Sequence, residues 1–317
     1  MLKRSLQLFL IFIALFLSGE YRLNAAETSV PAVTAAAADS TINIDKNNQM
    51  MLAFVERLKT GNTKEARKIA KEMADFSKNY KDDEKTVYKS FYSNIEKELY
   101  ILKNKNSKKN VVWVKEPIAD GYYFLAVMDF NEKNYKDAID NIQKCITWNP
   151  VRAPYYCERG FIFLNCGVNA DYVSAQVAYE QALEYADNEE DFASALRGLG
   201  FAFASRNELE ESAAAMILSE KFVPNNPDAQ EHILRLKSLV PSFDFNMDIK
   251  KATKILKESH IQTTFSPDHS KVLLKLASEM KMPEEKEKAL VFLIRANMLD
   301  PNNKDVEKKL NEVQKIK

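Results

Sequence analysis

Few residues of this chain have the types and spacing that catalysis or metal binding requires. The histidines His232, His260 and His269 lie far apart or in polar surroundings, and no His-Glu-x-x-His pattern occurs. No Gly-x-Ser-x-Gly elbow or glycine-rich phosphate loop occurs either. The acidic run from Glu189 to Asp191 could hold paired carboxylates, but it suits the first turn of a helix better. The sequence therefore predicts no catalytic residue, metal site or cofactor, and a protein that is not an enzyme.

The cysteines Cys145, Cys157 and Cys166 leave two alternatives open. Cys145 falls near the end of one predicted helix and Cys157 near the start of the next, so these two thiols could form a disulfide. Alternatively, Cys145 fills a small core position as an apolar side chain. Cys157 and Cys166 would lie about 13 Å apart along one helix, which is too far for a disulfide.

The composition favours helices over sheets. Only 7 of the 317 residues are glycine, whereas hairpin turns, bulges and nucleotide-binding loops need glycine for positive φ angles. Hydrophobic residues make up 46% of the chain and charged residues 28%, which allows a large folded core. With 45 basic and 45 acidic residues the net charge is zero, so nothing favours nucleic-acid binding. We interpret the basic run 103–109 as solvated.

The amino terminus has the pattern of an export signal. Lys3 and Arg4 precede the uncharged stretch Leu6–Leu17, and small residues follow as far as Ala26. We predict a signal peptide over residues 1–26, although an uncleaved membrane anchor is the alternative. Residues 27–46, rich in Ala, Ser and Thr, predict a flexible linker. The mature protein would have no membrane span and would be periplasmic if the source is a Gram-negative bacterium.

The rest of the sequence repeats a two-helix layout with helical apolar periodicity. Four small residues mark the middle of a first helix: Ala126, Gly160, Gly200 and Ala277. A second small residue follows 12 residues later in three copies and 15 later in one: Ala138, Ala175, Ser212 and Ala289. A terminating residue follows after a further 12 each time: Pro150, Asp187, Pro224 and Pro301. This register predicts stacked helical hairpins.

The pattern resembles the tetratricopeptide repeat (TPR) family, whose unit is a helix–turn–helix of about 34 residues. Besides the small and terminating residues, bulky positions of the copies match the family: Tyr122, Leu125, Tyr156, Phe163, Tyr179, Leu199, Phe203, Leu273 and Leu293. The resemblance implies an all-α fold, a right-handed α-solenoid of TPR-like repeats. It implies three repeats over residues 111–240 and a fourth, with a capping helix, over residues 269–317.

Two regions fit the repeat less well. Residues 47–110 predict a helical region with a degenerate hairpin, and within it a single long helix over Asp82–Asn104, whose apolar residues share one face. Residues 241–268 predict a connector or a degenerate hairpin, with one helix over Asp248–Glu258. The sequence does not choose between a hinge and a repeat at this place.

The resemblance also implies a binding face, because the first helix of each TPR hairpin lines a concave surface where partners bind. By register, this surface comprises ten residues: Tyr123, Val127, Phe130, Asn131, Phe161, Leu164, Asn165, Arg197, Phe201 and Ser205. Aromatic rings supply contact area and Asn amides can bond an extended backbone. As an alternative, several of these aromatic residues pack between hairpins.

These features together predict a non-catalytic scaffold or adaptor of the cell envelope that binds a protein or peptide in its groove. One alternative is a structural or assembly subunit of a secretion, pilus or outer-membrane system. Another is an accessory subunit of envelope polysaccharide or cell-wall enzymes. A shared repeat fold does not choose among them.

Overall fold

The computed structural model describes residues 48–239, 247–280 and 283–315, and it is predominantly helical. Its first seven helices are α1 (48–59), α2 (Thr63–Asp75), α3 (Asn94–Lys103), α4 (Ile118–Asn131), α5 (Tyr135–Trp148), α6 (Ala153–Asn165) and α7 (Tyr172–Tyr185). The others are α8 (Glu189–Ser205), α9 (Leu209–Phe222), α10 (Pro227–Leu239), α11 (Ile249–Glu258), α12 (Pro267–Glu279), α13 (Lys286–Leu299) and α14 (Lys304–Lys315). Two short strands are β1 (Thr86–Lys89) and β2 (Asn110–Trp113). The helical content agrees with the all-α class expected from the sequence.

Some sequence-based predictions fall outside this range. The predicted signal peptide (1–26), the predicted linker (27–46) and residues 241–246 of the predicted connector lie outside the described residues. Among the helices that are described, none is long and apolar enough to cross a membrane.

Helical hairpins stack side by side in the first part of the molecule. α4 packs on α5, α6 on α7 and α8 on α9, each pair joined by a short turn. Neighbouring hairpins meet through α5 and α6 and through α7 and α8, while α2 packs on α4. One apolar core runs through the stack, with fully buried members such as Phe54, Phe124, Ile142 and Leu196. These helical pairs coincide with the hairpins that the sequence pattern predicts.

A residue with positive φ recurs at the same place in these hairpins. Lys133, Gly167 and Asn207 each lie seven residues after the small residue of the first helix, and Gly61 ends α1 in a similar way. In three of the turns the following residue donates its backbone N–H to the carbonyl five residues earlier: Asn62, Asn134 and Glu208. This is a common way to end a helix at a left-handed residue. The helices α1, α4 and α8 therefore stop by one local mechanism.

Glycines allow unusually close helix contacts in the stack. The ring of Tyr179 on α7 lies between α6 and α8, where a Cβ on Gly198 would stand 2.1 Å from Cε1 of Tyr179. A Cβ on Gly160 would stand 2.7 Å from Cε2 of the same ring. Gly121 brings α4 onto α2, since its Cβ would lie 2.4 Å from the backbone nitrogen of Ala74. Small residues therefore set the helix spacing, as the repeat pattern predicts for Gly160.

The prediction of one long helix over Asp82–Asn104 is wrong. The chain forms β1 there, and β1 pairs in parallel with β2, so that Thr86 lies opposite Asn110. In a helix these backbone N–H groups would donate to backbone carbonyls. Side chains that accept hydrogen bonds from them stabilise the non-helical chain instead. Asp83 Oδ1 accepts a hydrogen bond from the N–H of Thr86 at 2.7 Å, and Asp82 Oδ1 accepts one from Tyr88 at 2.8 Å. The helix α3 begins only after Ser93, whose side chain caps it.

The inserted helix α3 and the last hairpin form a second layer. α12 packs on α3 and on α13, and α14 packs on α13. Their shared apolar core includes Phe91, Leu99, Leu273 and Leu293. By contrast, α10 and α11 pack on α9. The start of α11, with Asp248 as its cap, confirms the helix predicted over Asp248–Glu258.

Ion pairs join this second layer to the stack. Lys103 Nζ lies 2.7 Å from Oε1 of Glu184 on α7 and 2.9 Å from Oδ2 of Asp268 on α12. Arg295 of α13 lies 2.5 Å from Oδ2 of Asp187, in the turn between α7 and α8. Lys103 and Arg295, from distant parts of the sequence, thus connect the second layer to α7 and to the turn that follows it.

The stack therefore has two different ends. Because consecutive helices run antiparallel, the turns 149–152, 186–188 and 223–226 lie at one end, and the second layer contacts the first two of them through Val151 and Asp187. The turns 132–134, 166–171 and 206–208, within the hairpins, lie at the other end. We call these the covered end and the open end.

Candidate functional site

The predicted binding residues lie on three adjacent first helices. α4 packs on α6, and α6 packs on α8, so the three helices form one continuous face of the stack. Gly160 and Gly200 act within the hairpins, since they bring α6 onto Tyr179 of α7 and α8 onto Met216 of α9. All ten predicted residues belong to these helices, but burial divides them into two groups.

Five members of the set, two of them in last turns at the open end, are buried or half-buried. Tyr123, Val127 and Arg197 are buried, while Phe130 and Leu164 are half-buried. The phenol ring of Tyr123 packs against that of Tyr155, with ring centroids 5.4 Å apart. These positions therefore support the face from within, and a ligand would not contact them without displacing neighbours.

The exposed members of the set lie at the open end. They are the residues at or near the last turn of their helices: Asn131, Phe161, Asn165, Phe201 and Ser205. Phe161 is 44% exposed and Phe201 38% exposed, which is unusual for side chains of this size. Because the two phenylalanines occupy equivalent repeat positions, they form an aromatic row across α6 and α8.

Neighbouring side chains hold both rings in place. The ring of Phe130 meets that of Phe161 edge to face at a centroid distance of 5.2 Å. The ring of Phe201 meets the imidazole of His232 on α10 in the same manner at 4.3 Å. Each phenylalanine therefore has one packed side and one open side, and loses little conformational freedom when a ligand binds.

Polar side chains beside the row repeat a local hydrogen bond. Asn165 Nδ2 donates to the carbonyl oxygen of Phe161 at 2.8 Å, and Ser205 Oγ donates to that of Phe201 at 3.0 Å. The amide of Asn165 keeps its carbonyl oxygen and a second N–H for a ligand. The structure thus places the expected amide next to the aromatic ring, where it could bond a peptide backbone.

Arg197 does not provide an open cationic site. Its guanidinium is buried and its Nη2 lies 3.1 Å from Oε1 of Glu190. Glu190 is part of the acidic run Glu189–Asp191, which forms the first turn of α8 with Asn188 as the cap. This confirms the interpretation of the run as a helix start.

Sequence analysis missed a buried polar cluster beneath the covered end of the face. Asp120 Oδ1 accepts a hydrogen bond from the hydroxyl of Tyr155 at 2.7 Å. Burial raises the pKa of Asp120, and the nearby Arg152 opposes this shift. Arg152 in turn lies 2.8 Å from Oε1 of Glu96, at the start of α3. The residue types were visible in the sequence, but no spacing pattern indicated that they meet, because the partners are far apart in the chain.

Glu158 is a titratable group of this same face. Its Oε2 accepts a hydrogen bond of 3.5 Å from the hydroxyl of Tyr123. Burial raises the pKa of Glu158 to about 7, and the hydrogen bond from Tyr123 opposes the shift. Near neutral pH this carboxyl can act either as a donor or as an acceptor.

His232 extends the face to α10. Its Nε2 lies 3.2 Å from Oγ of Ser212, and burial lowers the pKa of His232 to about 4. The imidazole is therefore neutral at physiological pH, and its role here is to pack against Phe201. Within the described part of the chain, no group of three or more His, Cys, Asp or Glu side chains has a metal-binding arrangement.

The cysteines are buried and form no disulfide with one another. Cys145, Cys157 and Cys166 all lie in the interior, and the alternative disulfide between Cys145 and Cys157 is not formed in the structure. Burial raises the pKa of the Cys145 thiol and that of Cys157. Cys145 has no exposed surface and fills the core of α5, which is the apolar alternative.

Comparison with known proteins adds no relative. The chain matches no protein-family model and no curated protein sequence. The function must therefore be inferred from the site itself.

Proposed function

We propose that this chain is an exported, TPR-like α-solenoid without catalytic activity, which binds a peptide or protein segment on the face of α4, α6 and α8. The observation that carries the proposal is the aromatic row of Phe161 and Phe201 at the open end. These rings are exposed at equivalent positions of adjacent hairpins. The segment would lie across the row and leave the covered end untouched.

Energetics favours a ligand at this place. An exposed phenylalanine leaves apolar surface in water, and covering that surface contributes roughly 25 cal/mol per Å². Since Phe130 and His232 already hold the rings, the cost of ordering them on binding is small. The amides of Asn131 and Asn165 lie beside the rings and can bond the ligand's backbone.

Three further features support the rest of the proposal. The left-handed residue that recurs at one place in the hairpins supports a repeat protein, because each hairpin then follows the same local rule. The basic and apolar amino-terminal pattern supports export. The carboxyls of Asp120 and Glu158 bond tyrosine hydroxyls, an arrangement suited to holding the face together.

Selection from a random peptide library on the purified protein tests this proposal. The affinity of the best peptide would then be measured by fluorescence anisotropy for wild type and for Phe161→Ala/Phe201→Ala. We expect a loss of at least tenfold, since an aromatic hot spot contributes more than about 1 kcal/mol. Failure to select any peptide, or equal affinity for the double variant, would contradict the proposal.

A matched control separates the aromatic row from general surface hydrophobicity. Val173 and Val177 are exposed apolar residues of α7, which is the second helix of its hairpin and lies outside the proposed binding face. Val173→Ala/Val177→Ala removes a comparable type of surface and should leave the affinity unchanged. Melting curves of both double variants check that the fold is intact.

The alternative of a structural subunit is favoured by one specific observation. Val291, Ile294 and Met298 form an exposed apolar stripe on α13. The equivalent positions of α5, counted from Ala138 and Ala289, are polar: Asp140, Gln143 and Thr147. An assembly subunit would use this stripe to self-associate, which sedimentation velocity tests. A monomer at all concentrations, for wild type and Val291→Ser/Met298→Ser alike, would reject self-assembly through α13.

A further inference from the structure

The strand β2 has one edge that pairs with β1 and one that pairs with no other strand in the described part of the chain. In this parallel pair the N–H of Asn110 donates to Lys85 at 2.7 Å, and that of Val114 donates to Lys89 at 2.8 Å. Since alternate residues of a strand face opposite sides of the ladder, the backbone groups of Val111 and Trp113 point away from β1. Within the described residues, these groups make no hydrogen bond.

The corresponding edge of β1 is closed. Its outward N–H groups are those of Thr86 and Tyr88, and both donate to the carboxylates of Asp83 and Asp82. The two edges of this small sheet therefore differ in kind. The chain satisfies one of them with its own side chains and leaves the donors and acceptors of the other for a new strand.

The surroundings of the open edge set the chemistry of that strand. The side chains of Val111 and Trp113 pack on the apolar core around α3, and Trp113 Nε1 donates to the carbonyl of Phe91 at 2.8 Å. A third strand would extend this apolar side with every second residue. The exposed Lys109 and Lys115 flank β2 at its two ends, where Lys109 Nζ donates to the carbonyl of Asp83 and Lys115 Nζ lies over the ring of Trp113. Both ends of the strand therefore carry positive charge, and acidic residues would suit both ends of the added strand.

We propose that the outer edge of β2 binds an extended peptide as a third strand, with alternating apolar residues and an acidic residue at each end. A second copy of this chain fits less well. Antiparallel pairing of two β2 strands about Val112 would place Lys109 of one copy opposite Lys115 of the other. Like charges directly opposite each other destabilise a sheet. Main-chain hydrogen bonds to Val111 and Trp113 would supply the affinity, and the lysines the selectivity. This site is separate from the face of α4, α6 and α8.

Two labelled peptides test the charge preference. One is Asp-Asp-Val-Thr-Val-Thr-Val-Asp-Asp, and the other has lysines in place of the four aspartates. At low salt we expect the acidic peptide to bind at least tenfold more tightly. The double variant Lys109→Glu/Lys115→Glu should reverse that preference. The same charge change on α11, Lys250→Glu/Lys257→Glu, is the matched control and should not reverse it.

A proline substitution tests the backbone pairing itself. Val111→Pro removes an N–H that points away from β1, so no hydrogen bond of the existing ladder is lost. The residue before it is extended already, as a proline requires. We expect this variant to keep the wild-type melting temperature and to lose the acidic peptide at least tenfold.

Hydrogen exchange of residues 108–115 completes the test. The amides of Val111 and Trp113 should exchange freely in the protein alone and become protected when the acidic peptide is added. Equal affinity for both peptides, undiminished binding to Val111→Pro, or protection of these amides before any peptide is added would each overturn the proposal.

Discussion

The open and covered ends of the helical stack are built by different kinds of interaction. At the open end, short turns with a left-handed residue at one repeated position stop the first helices, and the aromatic row is exposed beside them. At the covered end, α3 and the last hairpin pack across the turns and form ion pairs, such as Arg295 with Asp187. Contacts between residues close in sequence shape the turns of the open end. Contacts between residues far apart in sequence shape the covered end.

This difference shows where the molecule has surface left for binding. Charged groups at the covered end already pair with one another, since Lys103 is shared between Glu184 and Asp268. The open end keeps apolar rings and amide groups in solvent although the hairpins beneath them are complete. Five predictions, in order of decreasing effect, test this division between a locally built stack and a layer added by distant contacts.

The largest effect is expected inside the stack. Tyr179→Ala removes a buried ring that lies between α6 and α8, and should cost about 3–5 kcal/mol of unfolding free energy. Gly198→Ala should cost about 1–3 kcal/mol in the wild type, because the new Cβ would overlap the ring of Tyr179. In the Tyr179→Ala background the same change should be nearly neutral. Urea titration of the four proteins measures this coupling, and simple additivity would contradict the packing described.

A smaller and more local effect is expected in the second layer. Leu99 of α3 is buried in the core shared with α12, and Leu99→Ala should cost about 2–5 kcal/mol. If distant contacts hold this layer, hydrogen exchange should rise in α12 and α13 while α6 and α7 stay protected. Leu196→Ala, in the core of the stack, is the matched control and should raise exchange in α8 and α9. Identical exchange patterns for the two variants would remove the distinction between stack and layer.

Acid and base should act on the helical stack and on the covered end in opposite directions. Burial raises the pKa of Glu158 to about 7, so its contribution to stability is lost as pH rises from its ordinary pKa toward 7. Glu158→Gln should therefore stabilise the protein by about 1–2 kcal/mol at pH 8 and have less effect at pH 5. Thermal melts between pH 5 and pH 8 measure this, and a pH-independent difference would be inconsistent with a raised pKa.

At the covered end the sign is reversed. Although burial opposes ionisation of Asp187, Arg295 and His269 lower its pKa below the ordinary value. Its stabilising contribution is present above the pKa of the unfolded chain, about 4, and is lost as pH falls through this range. Asp187→Asn should remove that acid sensitivity from the last hairpin, as measured by hydrogen exchange of α13 between pH 6 and pH 3.5.

The smallest effect is expected at a turn of the open end. Gly61 has a φ of 74° and open space around the position of a Cβ. Gly61→Ala should therefore cost only the backbone strain of a left-handed alanine, about 1–2 kcal/mol, without any steric overlap. Lys133→Gly, which relieves strain at the equivalent turn, should raise the melting temperature. No change in either variant would show that the left-handed turns contribute little.

The sequence pattern predicted the locally determined parts well. Small residues such as Gly160 and Ala138 fixed the register of the hairpins, and Asp248 marked the start of α11 correctly. The prediction of one helix over Asp82–Asn104 was wrong. The apolar spacing there fits a helix, but hydrogen bonds to Asp82 and Asp83 and the pairing with β2 stabilise the strand β1.

The candidate site was predictable only in part for a similar reason. Repeat register placed Phe161 and Phe201 on one face, and the structure has both exposed there. It could not show that Tyr123 and Arg197 are buried, since their burial depends on Tyr155 and Glu190 from other positions in the repeat. Nor could it indicate that α12 packs on α3, because nothing in either helix specifies so distant a partner.

Hydrogen exchange on the complex with the best library peptide tests the division between the two ends most directly. The account predicts new protection at the last turns of α4, α6 and α8 and in the turns that follow them, near Asn131, Phe161 and Phe201. Exchange in α12 and α13 should stay the same. Protection confined to the last hairpin, with none at the open end, would contradict the account.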